Sequence, residues 1–145
     1  MNTAVPPIVK ASERLLVDIE QAVRRFDRYH RYAIGTDLRA KAMQVYDLAQ
    51  RAWRDRQHQA RWVAQLVWAI DELRHRLQAA KLLRATPSFC QFEHLARQIS
   101  ELGKQAGGWH RHLNTPKGQD AQGRQAVAQR AQKLSTRATP AGVNP

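Results

Sequence analysis

Apolar residues recur at intervals of three and four along four segments of the chain, a spacing that is typical of amphipathic helices. The segments run from Ser12 to Tyr32, from Asp37 to Arg54, from Gln57 to Arg84 and from Phe89 to Ala106. No segment shows the sustained alternation of apolar and polar residues that indicates a strand. The pattern therefore predicts an all-α protein.

Several residues indicate where these helices begin. Ser12 and Thr36 are candidate N-caps of the first two helices, and Ser88 with Gln91 forms a capping-box pattern before the fourth. Pro6 and Pro7 precede the first helix, and Pro87 precedes the fourth.

Glycines indicate where the helices end. Gly35 interrupts the pattern after the first segment, and Gly107 with Gly108 is expected to stop or bend the fourth helix, so that Trp109 folds back onto the end of the bundle. Residues 55–57 contain neither Gly nor Pro. We nevertheless favour a turn there, because one helix from Asp37 to Arg84 would be atypically long for a globular domain.

Four amphipathic helices with short connections predict an up-down-up-down antiparallel four-helix bundle over residues 1–113. Residues 114–145 differ in character, since they are rich in Gln, Ala, Gly and Thr and contain no aromatic residue. Such a segment buries too little apolar surface to offset its ordering entropy. We expect a disordered, basic, low-complexity tail, with a short helix near 122–134 as the alternative.

The charge balance predicts what kind of partner the protein binds. The 24 Lys and Arg residues outnumber the 12 Asp and Glu residues, which gives a formal net charge of +12. Most of the basic residues are Arg, whose planar guanidinium suits phosphate. We expect a polyanionic partner and favour RNA or DNA over its main competitor, an anionic membrane surface.

The distribution of charge along the helices indicates which basic residues are available. Six acidic residues have a basic residue four positions later, a favourable surface pairing: Glu20–Arg24, Asp27–Arg31, Asp37–Lys41, Asp47–Arg51, Glu72–Arg76 and Glu93–Arg97. The basic residues outside these pairs include Arg39 and two further groups. Antiparallel topology gathers Arg54, Arg56, Arg61, Lys104 and Arg111, with His110 and His112, at one end, and Arg25, Arg28, Lys81 and Arg84 at the other. We predict that these groups contact phosphates without reading sequence, the alternative being a solvated basic surface.

Six aromatic residues are candidates for stacking on unpaired bases: Tyr29, Tyr32, Trp53, Trp62, Trp68 and Trp109. Because aromatic residues at helical spacing usually belong to the core, we expect Trp53 and Trp68 to be buried. Trp62 and Trp109 are the better stacking candidates.

Catalytic chemistry finds little support. Asp71 and Glu72 are neighbours on a helix and point about 100° apart, so they do not converge on one substrate atom. Cys90 and His94 have a helical metal-ligand spacing but no second ligand pair, and we expect Cys90 to be buried. No nucleotide-binding, metalloprotease or hydrolase motif occurs. We therefore expect no catalytic residue, metal or cofactor.

A single cysteine excludes an intramolecular disulfide, which fits a reducing compartment. The sequence shows neither a signal-peptide pattern nor an apolar run long enough to cross a membrane. We expect a cytoplasmic protein without a membrane partner.

Several short motifs together resemble a known family. They are Tyr29-His30-Arg31-Tyr32 with Gly35, Ala52-Trp53-Arg54, Ile70-Asp71-Glu72-Leu73-Arg74, and Gly103 with Gly107-Gly108-Trp109. In one four-helix pattern, these residues resemble the proteins that include the accessory variability determinant of diversity-generating retroelements. Relatives are encoded in intervening sequences of bacterial large-subunit ribosomal RNA genes. The resemblance covers about Leu15 to Leu113 and leaves out the tail.

The resemblance implies a basic four-helix bundle that assembles as a homopentamer and binds both nucleic acid and a reverse transcriptase. The complex copies template RNA into mutagenised cDNA, and the accessory subunit contributes no polymerase chemistry. The motif residues Tyr29, His30, Arg31, Tyr32, Gly35, Gly107, Gly108 and Trp109 are then mostly structural, with Gly35 opening the turn and the glycine pair letting Trp109 pack.

We therefore expect a non-enzymatic accessory subunit of a diversity-generating retroelement. A general RNA-binding or RNA-chaperone bundle without a polymerase partner and a basic protein–protein scaffold are the main alternatives, and an enzyme is the least favoured.

Overall fold

A computed structural model describes residues 4–115, of which residues 4–110 form one compact unit and Arg111–Thr115 belong to a second unit. The described part contains five α-helices, a 3-10 turn at Arg56–His58 and no strand, so the all-α prediction is confirmed for it. The helices are α1 (Pro7–Arg24), α2 (Arg28–Tyr32), α3 (Ile34–Arg54), α4 (Gln59–Leu82) and α5 (Phe89–Leu113). The predicted tail from residue 116 onward lies outside the described residues.

The first helix begins earlier than its apolar pattern predicted. Pro6 is extended and Pro7 is the first residue of α1, a position where the fixed φ of proline suits a helix and its missing N–H costs nothing. The prediction that Ser12 caps this helix is wrong. Ser12 is buried inside α1, and its hydroxyl donates a hydrogen bond of 2.7 Å to the carbonyl oxygen of Val9.

The first helix also ends earlier than predicted, at Arg24 rather than Tyr32. The backbone N–H groups of Arg25 and Phe26 turn back to the carbonyls of Ala22 and Val23, both at 3.0 Å. Phe26 is 2% exposed and fixes this turn in the core. Asp27 then starts the short helix α2 as its N-cap, so a capping carboxylate interrupts an otherwise continuous helical pattern.

Gly35 does not open a turn, which corrects our prediction. It is the second residue of α3 and is buried. A Cβ atom at this position would lie 2.7 Å from Cγ1 of Val23 and 3.1 Å from the carbonyl oxygen of His30. Glycine is therefore needed for the close packing of α3 on the end of α1. The predicted cap Thr36 also lies inside α3, and its hydroxyl donates to the carbonyl of Tyr32 at 3.2 Å.

The predicted turn between the second and third long helices is confirmed. Helix α3 ends at Arg54, the 3-10 turn follows, and α4 begins at Gln59. Gln59 is buried, and its Nε2 donates a hydrogen bond of 2.7 Å to the carbonyl oxygen of Ala52. This bond satisfies a carbonyl that the end of a helix leaves without an intrahelical partner.

The last helix starts as predicted but continues further. The hydroxyl of Ser88 accepts a hydrogen bond of 3.2 Å from the N–H of Gln91, which confirms the cap. The prediction that Gly107 and Gly108 stop or bend the helix is wrong, because α5 runs through them to Leu113. A helical glycine costs only about 1 kcal/mol relative to alanine. Burial of Ala106 and packing of Trp109 against the core offset this cost, so Trp109 does not fold back.

The core of residues 4–110 is formed by apolar stripes of α1, α3, α4 and α5. Among its largest buried side chains are Leu15, Ile19, Leu38, Leu66, Ile70, Leu73, Leu95, Ile99 and Leu102. Two interhelical ion pairs, Glu20 with Arg39 and Lys41 with Glu72, and one contact between Asp18 and the His94 ring connect the long helices. They join α1 to α3, α3 to α4, and α1 to α5.

Two predicted core residues lie on the surface instead. Trp68 is 71% exposed because it is two positions from both Leu66 and Ile70, which places it about 200° around α4 from the buried stripe. Cys90 is exposed for the same reason, since it is two positions from the buried Phe92 at the start of α5. Trp53 is partly buried against the core, as predicted.

Within residues 4–115, no helix has the length and apolar character needed to cross a membrane.

Candidate nucleic-acid interface

The candidate site is built around Asp55, the residue between α3 and the 3-10 turn. Its carboxylate accepts hydrogen bonds from Nε1 of Trp62 at 2.8 Å, from Nδ1 of His58 at 3.0 Å and from the backbone N–H of His58 at 3.4 Å. These donors, Trp62 first and His58 second, hold the pKa of Asp55 below its ordinary value of 3.8. An ionised Asp55 therefore fixes the Trp62 ring beside the turn.

Two guanidinium groups stand over the Trp62 ring. The guanidinium carbon of Arg61 is 5.0 Å from the ring centre and that of Arg51 is 5.2 Å away. A third guanidinium, that of Arg54, lies 5.5 Å from the ring centre of Trp53. Cation–π attraction at these distances holds three exposed arginines of two helices in place. We refer to Arg51, Arg54, Arg61, Trp53 and Trp62 as the Trp62 cluster.

A groove of about 620 Å³ opens beside this cluster. It is lined by Tyr46, Gln50, Arg51, Arg54 and Asp55, and Nε2 of Gln50 donates to the Tyr46 hydroxyl at 3.3 Å. The groove thus combines two guanidinium groups and two uncharged hydrogen-bonding groups with the Asp55 carboxylate, whose charge is already engaged by Trp62 and His58. Guanidinium groups bind phosphate oxygens in a bidentate geometry, so the arrangement suits a phosphodiester backbone.

The structure brings together only part of the predicted basic end. Arg54 and Arg61 belong to the Trp62 cluster, and Arg56 is exposed in the adjacent 3-10 turn. Lys104 is exposed on α5. Arg111 is exposed and belongs to the second unit.

Sequence reasoning missed Arg51, which it had paired with Asp47. In the structure Arg51 stands over Trp62 instead. The residues that could have revealed this are Asp55 and His58, because an aspartate three positions before a histidine at a helix boundary indicates a capped turn. Such a turn brings the last residues of α3 beside the first residues of α4.

The predicted basic residues at the other end are exposed but differently placed. Arg25 and Arg28 flank the junction between α1 and α2. Arg84 follows α4 with a φ of 59°, a left-handed conformation that usually favours glycine. The ammonium group of Lys81 lies 5.1 Å from the ring centre of Phe92, so it forms a cation–π interaction within the molecule.

Arg39 is not a spare cation, which corrects the sequence interpretation. Its Nε and Nη2 donate to the two carboxylate oxygens of Glu20 at 2.7 and 3.1 Å. Arg24 donates to the same carboxylate at 3.2 Å. The bond from Arg39, and to a smaller extent that from Arg24, lowers the pKa of Glu20. The two bonds from Arg39 therefore join α3 to α1, while Arg24 pairs with Glu20 within α1.

Of the six predicted surface pairs, Glu20–Arg24 and Glu93–Arg97 are confirmed, at 3.2 and 3.5 Å. Two acidic residues choose other partners. Asp27 caps α2 and bonds to His30, and Glu72 bonds to Lys41 of α3 at 2.8 Å. Tertiary neighbours and capping donors are closer here than the basic residue four positions along the helix.

Two of the candidate catalytic and metal residues, Asp71 and His94, are paired with other side chains. Asp71 accepts from Arg74 at 2.9 Å, and Nε2 of His94 lies 3.4 Å from Asp18. Within residues 4–115, no group of three or more His, Cys, Asp or Glu side chains is arranged to hold a metal ion.

Comparisons of the chain with protein-family models, with curated proteins and with solved structures found no match.

Proposed function

We propose that this protein is a non-enzymatic accessory subunit of a diversity-generating retroelement that binds template RNA or cDNA through the Trp62 cluster and associates with a reverse transcriptase. The observation that carries the binding role is the placement of three exposed arginines, Arg51, Arg54 and Arg61, around a groove and an anchored tryptophan.

Two physical arguments support nucleic acid as the ligand. The formal net charge of +12 attracts a polyanion over distances of roughly a Debye length, about 8 Å at physiological ionic strength. Guanidinium groups that are already held in place lose little rotamer freedom on binding phosphate. Since phosphate contacts carry no sequence information, the binding is expected to be non-specific.

The retroelement role rests on the resemblance of the Tyr29-His30-Arg31-Tyr32, Ala52-Trp53-Arg54 and Gly107-Gly108-Trp109 segments to the accessory family. The reverse transcriptase partner, the homopentamer and the cytoplasmic location belong to the same proposal. A neighbouring reverse-transcriptase gene would support it, whereas RNA binding without such a gene would favour a general RNA-binding bundle.

We also propose the up-down-up-down antiparallel order for the four long helices. The Glu20–Arg39 pair supports it, because Glu20 is near the end of α1 and Arg39 near the start of α3. Lys41 and Glu72 relate α3 to α4 in the same way. An apolar cleft that includes Pro7 and Trp109 puts the start of α1 beside the last turns of α5.

The binding role is tested by titrating the full-length protein with labelled single-stranded RNA at several salt concentrations. Each phosphate contact on a single strand contributes roughly 0.7 to the slope of log K against log salt. The R54A/R61A variant should therefore bind more weakly and lose about 1.4 from that slope. The matched control is R74A/R97A, which removes the same charge from arginines that are paired with Asp71 and Glu93.

Equal slopes in R54A/R61A and in the parent would contradict the assignment of these arginines. Absence of RNA and DNA binding by the parent at low salt would contradict the nucleic-acid role and leave the protein–protein scaffold as the better explanation.

A further inference from the structure

The short helix α2 exposes two large aromatic side chains. Tyr29 is 77% exposed and Tyr32 is 69% exposed. Residues three apart on a helix are neighbours on its surface, with Cβ atoms about 5–6 Å apart. The two exposed phenol groups therefore lie on the same side of α2, although the sequence resemblance implied that both residues are mostly structural.

Hydrogen bonds on both sides hold this helix in position. The Asp27 carboxylate accepts from the N–H of His30 at 2.9 Å and from its Nδ1 at 2.8 Å. Nη2 of Arg31 donates to the carbonyl of Phe26 at 3.3 Å, and the Thr36 hydroxyl donates to the carbonyl of Tyr32 at 3.2 Å. The tyrosines are thus presented by a fixed element rather than by a free loop.

Buried residues on either side of α2 anchor this helix to the core. Phe26 is buried immediately before α2, and Gly35 packs tightly against Val23 immediately after it. The ring of Tyr29 also meets the His30 ring edge to face, with centres 5.2 Å apart. Neither tyrosine belongs to the apolar core, so packing of the fold does not account for their presence.

Two exposed arginines lie close to the tyrosines in the sequence, at the junction between α1 and α2. Arg25 and Arg28 are exposed at the same junction, and neither forms an ion pair within residues 4–115. The nearest carboxylate in the sequence, Asp27, is already bonded to His30. An aromatic surface with flanking guanidinium groups is complementary to unpaired bases joined by phosphates, because every base has a face that stacks.

We propose that Tyr29 and Tyr32 form a stacking platform for unpaired nucleotides of single-stranded RNA or DNA, with Arg25 and Arg28 contacting the adjoining phosphates. The inference rests on the proposed nucleic-acid binding and adds a second contact, which selects single strands over duplexes. The Trp62 cluster supplies charge to any polyanion, whereas the platform needs accessible base faces.

The test compares Y29A/Y32A with Y29F/Y32F in the full-length protein. The probes are fluorescein-labelled oligouridylate, oligothymidylate and a blunt DNA duplex of mixed sequence. Y29A/Y32A should bind the single strands at least about tenfold more weakly, because loss of stacking on one base already costs about 5-fold or more. Duplex binding and the salt slope should stay within about twofold of the parent. Y29F/Y32F keeps the rings and should retain single-strand binding. The oligouridylate and oligothymidylate arms show whether RNA, DNA or both use the platform.

A second measurement uses the unaltered protein and does not depend on the folding of a variant. Ultraviolet crosslinking to oligouridylate containing 4-thiouridine, followed by mass spectrometry, should identify peptides modified at Tyr29 or Tyr32. Crosslinks that avoid α2 would overturn the platform.

Two further outcomes separate this inference from the proposed function. Equal single-strand binding by Y29A/Y32A and the parent, with the expected slope change in R54A/R61A, overturns the platform alone. A parent protein that binds none of the three probes overturns both proposals.

Discussion

The junctions that follow α1 and α3 use the same local device with different results. Each contains the sequence pattern Asp-Arg-X-His, in which X is any residue, at residues 27–30 and 55–58. In both, the aspartate carboxylate accepts from the backbone N–H and from Nδ1 of the histidine, at 2.9 and 2.8 Å in the first junction and at 3.4 and 3.0 Å in the second. The shared motif stops one helix and starts another.

The two junctions differ at the residue seven positions after the aspartate. Ile34 enters the core after the first, whereas Trp62 turns back after the second and donates to Asp55 at 2.8 Å. The side chain of Asp27 is consequently 61% exposed, against 38% for that of Asp55. The first junction leaves two tyrosines free on its surface, while the second locks its tryptophan under two arginines. A capping motif thus sets the turn, and more distant residues determine the surface that it presents.

The largest expected effect is on the free energy of unfolding, when the residue immediately before each aspartate is replaced by alanine. Phe26 is buried before Asp27, whereas Arg54 is exposed before Asp55. Phe26→Ala should lower the free energy of unfolding by about 3–5 kcal/mol, because it removes a large apolar side chain and leaves a cavity. Arg54→Ala should change it by less than about 1 kcal/mol, because it removes only an exposed cation–π contact with Trp53. Urea denaturation measures both, and similar values for the two variants would show that the junctions are anchored alike.

A smaller effect tests the close approach of α3 to α1 at the first junction. Gly35→Ala places a Cβ atom 2.7 Å from a side-chain carbon of Val23 and 3.1 Å from a backbone oxygen, so we expect a loss of about 1–3 kcal/mol.

Gly103→Ala is the matched control for this substitution. The Cβ atom added there meets the end of the flexible Arg74 side chain at 2.9 Å, which can move aside. The helix propensity of alanine should then make Gly103→Ala neutral or stabilising by up to about 1 kcal/mol. Thermal unfolding of the two variants distinguishes them, and a stabilised Gly35→Ala would contradict the tight contact.

The smallest effect concerns the protonation of the two aspartates. Their bonds in the folded state lower both pKa values below 3.8, mainly through Trp62 for Asp55 and through the His30 backbone for Asp27. The resulting stabilisation is present above the ordinary pKa and is lost as the pH falls through the folded-state pKa. Both carboxylates are accessible to solvent, so the contribution is modest.

Trp62→Phe removes the main donor to Asp55 alone. The pKa of Asp55 should rise toward 3.8 while that of Asp27 stays unchanged, and the loss of stability on acidification should become smaller. A carboxyl titration followed by NMR measures both groups in one sample. A parallel rise of the Asp27 pKa would mean that the two junctions are coupled.

Much of the local structure was predictable from the sequence. The boundary at Phe89, the Ser88 cap and the turn after Arg54 followed from apolar periodicity and capping chemistry, which depend on residues a few positions apart. Periodicity failed at Asp27, where a capping carboxylate outweighed a continuous apolar stripe. Two glycines do not mark turns as expected. Gly35 serves close packing, and at Gly107 the burial of Ala106 and the packing of Trp109 offset the cost of a helical glycine.

Some features of the candidate site were likewise predictable from the sequence, and others depend on tertiary packing. The excess of arginine and the availability of Arg54 and Arg61 are properties of composition and of helical spacing, and they could be read without coordinates. The choice of Arg51 between Asp47 and Trp62, and that of Glu72 between Arg76 and Lys41, depends on which helices lie side by side. The exposure of Trp68 follows from helical spacing, because it lies opposite the buried stripe of α4. The exposure of Tyr29 and Tyr32 depends on tertiary packing, since an amphipathic pattern marks a preferred face but the neighbouring helices determine how much of that face is covered.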